Sequence, residues 1–239
     1  NNVGGGFDSN VIYGIFSGNT IGENFSSNNI SGDCYSNFIG NDFDANNIFY
    51  GFDKNEIGNR FSGNTMYFKF TENNISNEFN NWTIGTSGTI GFYTFYGNTI
   101  GTGSENNIIK NIFWYNTVGP FFTSNQIEGA FSYNTISSQC YSNNFSGTCE
   151  YNILYNQFYS NSIGNNFYGN NITGEFSDNI TLNDFRLNNI KCPISSTNFS
   201  GASHVYNFYS CDIFTNSSGT PRLSYFDGTD TLVVTNITA

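Results

Sequence analysis

The chain has 239 residues, a formal net charge of −11 with only seven Lys and Arg, 18% aromatic residues and 10% charged ones. So few cations cannot neutralise a phosphate backbone, and no apolar run approaches the length of a membrane-spanning helix, so neither nucleic acid binding nor membrane insertion is expected. Asparagine, serine and glycine fill much of the rest, which would describe a disordered tract but for strict apolar columns that a disordered chain has no reason to keep in register.

The first residues, Asn1 to Gly6, do not read as a signal peptide, so the expectation is either a mature start or a piece of something longer. From Phe7 onward a nonapeptide unit, Phe-x-x-Asn-x-Ile-x-x-x, recurs. Its Phe column runs Phe7, Phe16, Phe25, Cys34, Phe43, Phe52, Phe61, Phe70 and Phe79. Asparagine stands three residues after each of these from Asn10 to Asn73, and an apolar residue, Ile12 through Ile84 with Met66 among them, two further on. The phase then slips, because Phe79 and Phe95 are sixteen residues apart instead of eighteen, and Trp82 to Ile90 read as an irregular coil or bulge.

Regularity returns at Phe95 and holds to Ile190. The asparagines are Asn98, Asn107, Asn116, Asn125, Asn134, Asn143, Asn152, Asn161, Asn170, Asn179 and Asn188. The Phe column admits Ser104, Cys140 and Cys149, and the Ile column admits Val118, Phe145, Leu154 and, as its one polar member, Thr181. Apolar spacings of five and then four drift around a helix, and so much Gly, Asn and Ser disfavours one. Asn-x-Ile instead alternates with a period of two, which puts both side chains on one face of a short strand, and the following tripeptide, such as Gly22-Glu23-Asn24, turns the chain. Short strands and tight turns at a fixed period predict an all-β parallel β-helix, a solenoid.

The rare charges indicate how many repeats make one coil. At a spacing of eighteen, Asp42, Arg60 and Glu78 form a row, Lys54 faces Glu72 and Lys110 faces Glu128, whereas a spacing of nine sets Arg60 against Lys69. Gly22, Gly40 and Gly58 also recur at eighteen. One coil is therefore two nonapeptides, and roughly ten coils at ~4.8 Å each predict a rod on the order of 50 Å long. Within it the asparagines are expected to form two hydrogen-bonded ladders, satisfying buried amides that would otherwise cost roughly 1–3 kcal/mol each. Of the five cysteines, Cys34, Cys140 and Cys149 lie in the Phe column and read as small buried hydrophobes, while Cys192 and Cys211 are candidates to pair.

After Ile190 the rhythm fades. Residues 1–201 read as the β-helix, with its slip around 80–94, and 202–239 as a C-terminal cap or assembly element. In the latter, alternating runs Arg222 to Phe226 and Thr231 to Thr235 flank Asp227-Gly228-Thr229-Asp230, a hairpin signal. Such a hairpin would cover the exposed strand edges of a solenoid end.

Motifs for chemistry are scarce. The chain contains no phosphate loop, Cys-x-x-Cys, His pair or Gly-x-Ser-x-Gly, and its single histidine, His204, reads as a surface or cap residue. Neither a metal nor a cofactor is expected, and no residue is assigned a catalytic role. Calcium-binding nonapeptide solenoids need a recurrent aspartate, where this chain carries neutral asparagine. Carboxylate pairs for glycoside hydrolysis could come from Asp42, Asp44 and Asp53, or from Glu175, Asp178 and Asp184. An ice-binding threonine row begins with Thr99, Thr117 and Thr135 but continues as Ile153 and Asn171. The more prominent exterior feature is aromatic. Tyr115, Tyr133 and Tyr151 align at eighteen, Tyr96 and Trp114 align beside them, and Phe49-Tyr50 align with Tyr67-Phe68. These rows are candidates for glycan contact, for subunit packing or for stabilisation within the chain.

The unit Asn19-Thr20-Ile21-Gly22-Glu23-Asn24-Phe25, repeated as Asn161-Ser162-Ile163-Gly164-Asn165-Asn166-Phe167, resembles repeats in bacteriophage tail-fibre and tailspike proteins and in large bacterial surface proteins. The resemblance covers about residues 7 to 200. It implies a homotrimeric structural fibre on a virion or extracellular surface, attaching to host-surface glycans. Departures are the slip near Trp82 and the lack of the catalytic cluster that tailspike depolymerases carry. The alternative function is a polysaccharide depolymerase with exterior carboxylates, and an ice-binding solenoid comes behind it.

Overall fold

The computed structural model describes residues 1–85, 94–110, 112–164, 166–181 and 185–190, and beyond these the strands Ile194–Ser195, Asn198–Phe199, His204–Phe208, Arg222–Phe226 and Leu232–Asn236. Among the described residues every regular element is a strand, and all but the last pair of strands stack in parallel as a β-solenoid. The expected eighteen-residue coil is present. Starting at Thr20, the chain lays down Thr20–Ile21, Phe25–Ser26, Asn29–Ile30 and Cys34–Tyr35 before Phe38–Ile39 pairs with Thr20–Ile21. Each nonapeptide thus supplies two short strands, one ending on Ile and one opening on Phe, and a turn has four sides. The side through Ile12, Ile30 and Ile48 comprises eleven strands, which at ~4.8 Å per strand makes a rod about 50 Å long.

Burial follows the columns. Phe25, Phe43, Phe52, Phe61, Ile21, Ile39 and Ile57 are fully buried, and like rings stack on like, as Phe25 does on Phe43 at 4.9 Å. Each such side chain contributes about 1.5–3 kcal/mol by leaving water. Cys34, Cys140 and Cys149 are buried free thiols, and desolvation pushes all three well up from the ordinary thiol range. Where Cys140 and Cys149 replace two successive phenylalanines, Phe145 replaces the isoleucine between them and packs 4.7 Å from Phe131, so core volume is roughly conserved.

The corner between each Phe strand and the next asparagine is made by a residue in the left-handed conformation, such as Ser27 (φ 57°), Ala45 (φ 55°) or Tyr133 (φ 57°). This reversal turns the backbone and aims the asparagine inward. In alternate nonapeptides the residue before Phe is left-handed too, as at Asn24 (φ 59°), Asp42 (φ 65°) and Arg60 (φ 59°), so the two halves of a turn are not equivalent. The glycine row has a separate cause. A Cβ on Gly40 would lie 2.0 Å from the carbonyl oxygen of Gly22 one turn below, so only glycine lets the backbones approach so closely.

The phase slip is one enlarged turn. Phe70 pairs with Phe95, and Asn73 bonds Asn98 across 25 residues where the other turns span 18. The irregular stretch expected from Trp82 onward starts later, because Thr83–Ile84 pairs in register with Thr65–Met66 below and Ile108–Ile109 above. Trp82 itself is buried in the asparagine column. The extra residues therefore fall between Ile84 and Phe95.

The expected ion pairs are partly formed. Arg60 pairs with Asp42 and Lys54 with Glu72 at 3.6 Å, but Lys69 reaches Asp53 at 2.8 Å, and Glu128 accepts from Gln126 Nε2 at 3.0 Å without pairing with Lys110. Toward the C-terminus, His204–Phe208 still pairs in parallel with Phe185–Ile190. Arg222–Phe226 and Leu232–Asn236 pair antiparallel, as the hairpin signal predicts. Asp184, Cys192, Cys211 and the residues connecting the hairpin lie outside the described residues, as does the side chain of His204.

Candidate functional site

The asparagine ladders run along two opposite corners of the section. Asn134 is representative: its backbone N–H and its Nδ2 both donate to Asn152 Oδ1, at 2.9 and 3.0 Å, and the second Nδ2 hydrogen goes to the Phe113 carbonyl at 2.8 Å. Its own Oδ1 accepts the same two bonds from Asn116, at 2.9 and 3.0 Å. Asn98, Asn116, Asn125, Asn143, Asn152, Asn161 and Asn170 repeat the arrangement, and Asn107 does so except that its Oδ1 accepts only the backbone N–H of Trp82 from below. Asn179 and Asn188 donate to the carbonyls of Phe158 and Phe167. All are buried. From Asn98 to Asn170 both amide hydrogens of each ladder asparagine are used within the rod, so these side chains hold successive turns together.

The aromatic ridge grows from one of these corners. The outward residue of the fourth strand in each turn, the side of Cys34–Tyr35, gives a row containing Tyr96, Trp114, Ser132, Glu150 and Tyr168. The left-handed corner residue follows it, giving Gly97, Tyr115, Tyr133, Tyr151 and Gly169. Left-handed backbone is unfavourable for a bulky side chain, yet three successive turns place tyrosine there. Their rings stack, Tyr115 on Tyr133 at 4.9 Å and 8°, and Tyr133 on Tyr151 at 5.1 Å and 17°. Tyr96 meets Tyr115 edge to face at 5.5 Å and Tyr168 meets Tyr151 likewise at 5.2 Å. Gly97 and Gly169 bound the stack, and at Gly169 a Cβ would lie 2.8 Å from the Tyr151 ring.

The ridge is thus a closed cluster of five tyrosines. Tyr133 is stacked between Tyr115 and Tyr151, and Tyr96 and Tyr168 meet the two ends of the stack by edge contacts. A hydrogen bond to Tyr168 pushes the Tyr151 phenol up to about 12. Trp114 Nε1 is buried with no partner. Tyr141 and Tyr159 form another stacked pair at 4.8 Å and 11°, and burial raises the Tyr159 phenol. Phe49 stacks on Tyr67 at 4.8 Å and Tyr50 on Phe68 at 5.8 Å. The eighteen-residue alignment made the Tyr115, Tyr133, Tyr151 row visible in the sequence. The capping roles of Tyr96 and Tyr168 were not visible, because each acts on a tyrosine of the neighbouring row.

Among the described residues, three of the candidate carboxylates are already engaged by neighbours. Asp42 is bound by Arg60 and Asp53 by Lys69 and Thr71, while Glu175 accepts from Ser177 at 2.7 Å. Asp44 is left with a carboxyl raised by partial burial and by the charges of Asp42 and Asp8. No group of three or more His, Cys, Asp or Glu is placed to hold a metal ion among the described residues. Thr99, Thr117 and Thr135 pair in register on the first side, that of Thr20–Ile21, and give way to Ile153.

Fold and surface together define, among the described residues, a parallel β-solenoid with two internal asparagine ladders and an exterior tyrosine ridge. Comparison of the chain with protein-family models, with characterised proteins and with solved structures finds no match in any of the three.

Proposed function

We propose that this chain is a rigid structural segment of an extracellular appendage, of the kind found in phage tail fibres, and that it assembles as a trimer whose exterior contacts host-surface glycans. The observation that carries the reading is the double asparagine ladder, which hydrogen-bonds each turn to the next through its own amides. An architecture so internally satisfied suits a load-bearing spacer. The aromatic ridge supports a contact role, since its half-exposed tyrosines carry rings and hydroxyls able to meet a sugar. The ion pairs formed by Asp42 and Asp53 favour this reading over a carboxylate hydrolase.

Light scattering on the purified chain tests the assembly. A mass three times 26.6 kDa is expected, and a monomer at physiological salt would overturn the trimer. Binding of a bacterial surface polysaccharide, measured for the parent chain and for Tyr133→Ala, tests the contact. The expected outcome is weaker binding by the variant, and equal binding would remove the ridge from the contact surface.

A further inference from the structure

We propose that the ridge is a site of oxidative tyrosine cross-linking, at which Tyr115 and Tyr133 couple in preference to other tyrosines and staple two adjacent turns by a carbon–carbon bond. Three observations lead there. The two rings are within 8° of parallel at 4.9 Å, the closest and flattest contact in the ridge. They are 51% and 45% exposed, so a bulky oxidant or a diffusing mediator can reach them. Both are fixed on equivalent left-handed corners one strand spacing apart, φ 55° and 57°, so the pairing is held by the backbone ladder rather than by chance encounter.

The chemistry needs a one-electron oxidant, such as a haem peroxidase with hydrogen peroxide. Each tyrosine gives up one electron and its phenolic proton, forming a phenoxyl radical with spin at the ring carbons ortho to oxygen. The two radicals join at those carbons, and each ortho hydrogen then moves to oxygen, restoring both phenols. Overall two tyrosines and one hydrogen peroxide give one dityrosine and two waters. Stacked rings bring the ortho carbons of neighbours over one another, and the remaining approach needs only the side-chain motion that exposed tyrosines make on a picosecond to nanosecond scale. The bond lies within one chain, so the inference does not depend on what the rod attaches to.

The test is peroxidase treatment of the intact chain at low concentration, followed by digestion after glutamate. Glu105, Glu128 and Glu150 place Tyr115, Tyr133 and Tyr151 on three separate peptides. The expected result is a cross-linked species joining 106–128 to 129–150, mapped by fragmentation to Tyr115 and Tyr133. Proximity should raise its yield at least about tenfold over the urea-unfolded chain. Tyr133→Phe keeps the ring and should abolish the link between positions 115 and 133 while leaving the stacked pair Tyr141 and Tyr159 able to couple, which shows that the variant is folded and oxidised. Equal yields from folded and unfolded chain would overturn the proposal. So would a folded chain that couples Tyr141 to Tyr159 but leaves Tyr115 unlinked.

Discussion

The backbone N–H of Trp82 donates to Asn107 Oδ1 at 3.0 Å, across the one turn that spans 25 residues. Its indole Nε1 donates to the Phe61 carbonyl at 2.9 Å, the bond that Asn64 Nδ2 makes to Phe43 one turn earlier. Tryptophan thus supplies the downward half of the ladder pattern while lacking the oxygen that would accept from Asn64. The Asn64 amide turns instead to the Ser62 carbonyl at 2.7 Å. The indole also stacks on Phe61 at 4.1 Å, so the lost ladder bond is offset by core contact beside the enlarged turn.

Trp82→Phe should therefore keep most of the packing and remove only the donor. The stranded Phe61 carbonyl is expected to cost roughly 1–3 kcal/mol, read as a lower urea midpoint with an unchanged slope. A midpoint equal to that of the parent would mean that the indole bond contributes nothing.

Asn134→Ala should be more severe, because it leaves two N–H donors of Asn116 and the Phe113 carbonyl unpaired at once. A loss of roughly 3 kcal/mol or more is expected. Asn134→Asp adds a pH signature. Burial would raise the folded carboxyl above its unfolded value of ~3.9, so stability is highest when the acid is protonated and falls as pH rises through the window between the two values. Denaturation midpoints at acid and neutral pH, each referenced to the parent, measure this difference, and a flat comparison would show that the position is solvated.

Gly40→Ala probes the close approach of successive turns. The added methyl would meet the Gly22 carbonyl oxygen at 2.0 Å, so backbone rungs must shift apart. A loss of about 1–3 kcal/mol is expected. Gly6→Ala, which meets nothing within 4 Å but sits at φ 83°, separates steric overlap from backbone strain. Equal effects of the two substitutions would rule out steric overlap as the reason for the glycine row.

Asp44 offers a milder pH effect. Its carboxyl is raised by desolvation first, then by Asp42 and Asp8. Ionisation is thus harder in the fold than in the unfolded chain, so stability falls as pH rises from the ordinary carboxylate range through the raised value. Asp44→Ser, matching Ser26 and Ser62 on the turns either side, should flatten that decline as pH rises above the ordinary carboxylate range of ~4. The part of the difference that comes from the charges of Asp42 and Asp8 should shrink in high salt. Thermal midpoints across that range decide it, and parallel curves for the two proteins would assign the pH dependence elsewhere.

The sequence by itself determined the period, the eighteen-residue stack, the identity of the buried columns and the existence of two ladders. These are legible because a solenoid places each residue against its own counterpart one turn away, so recurrence along the chain becomes contact in space. Asn134 meets Asn152 because the two stand eighteen residues, and so one turn, apart. Only the tertiary structure decided how the chain bends between columns and what each side chain meets off its own row. The four-sided section depends on left-handed residues such as Ser27 and Tyr133, a conformation open to several residue types and so without a unique signature. Trp82 entered the ladder because an indole N–H can reach the same carbonyl as an amide, an equivalence of geometry and not of residue type. The closure of the tyrosine ridge rests on Tyr96 and Tyr168, whose rings cross from one row to the next. Periodicity records neighbours along the stack, and these neighbours lie across it.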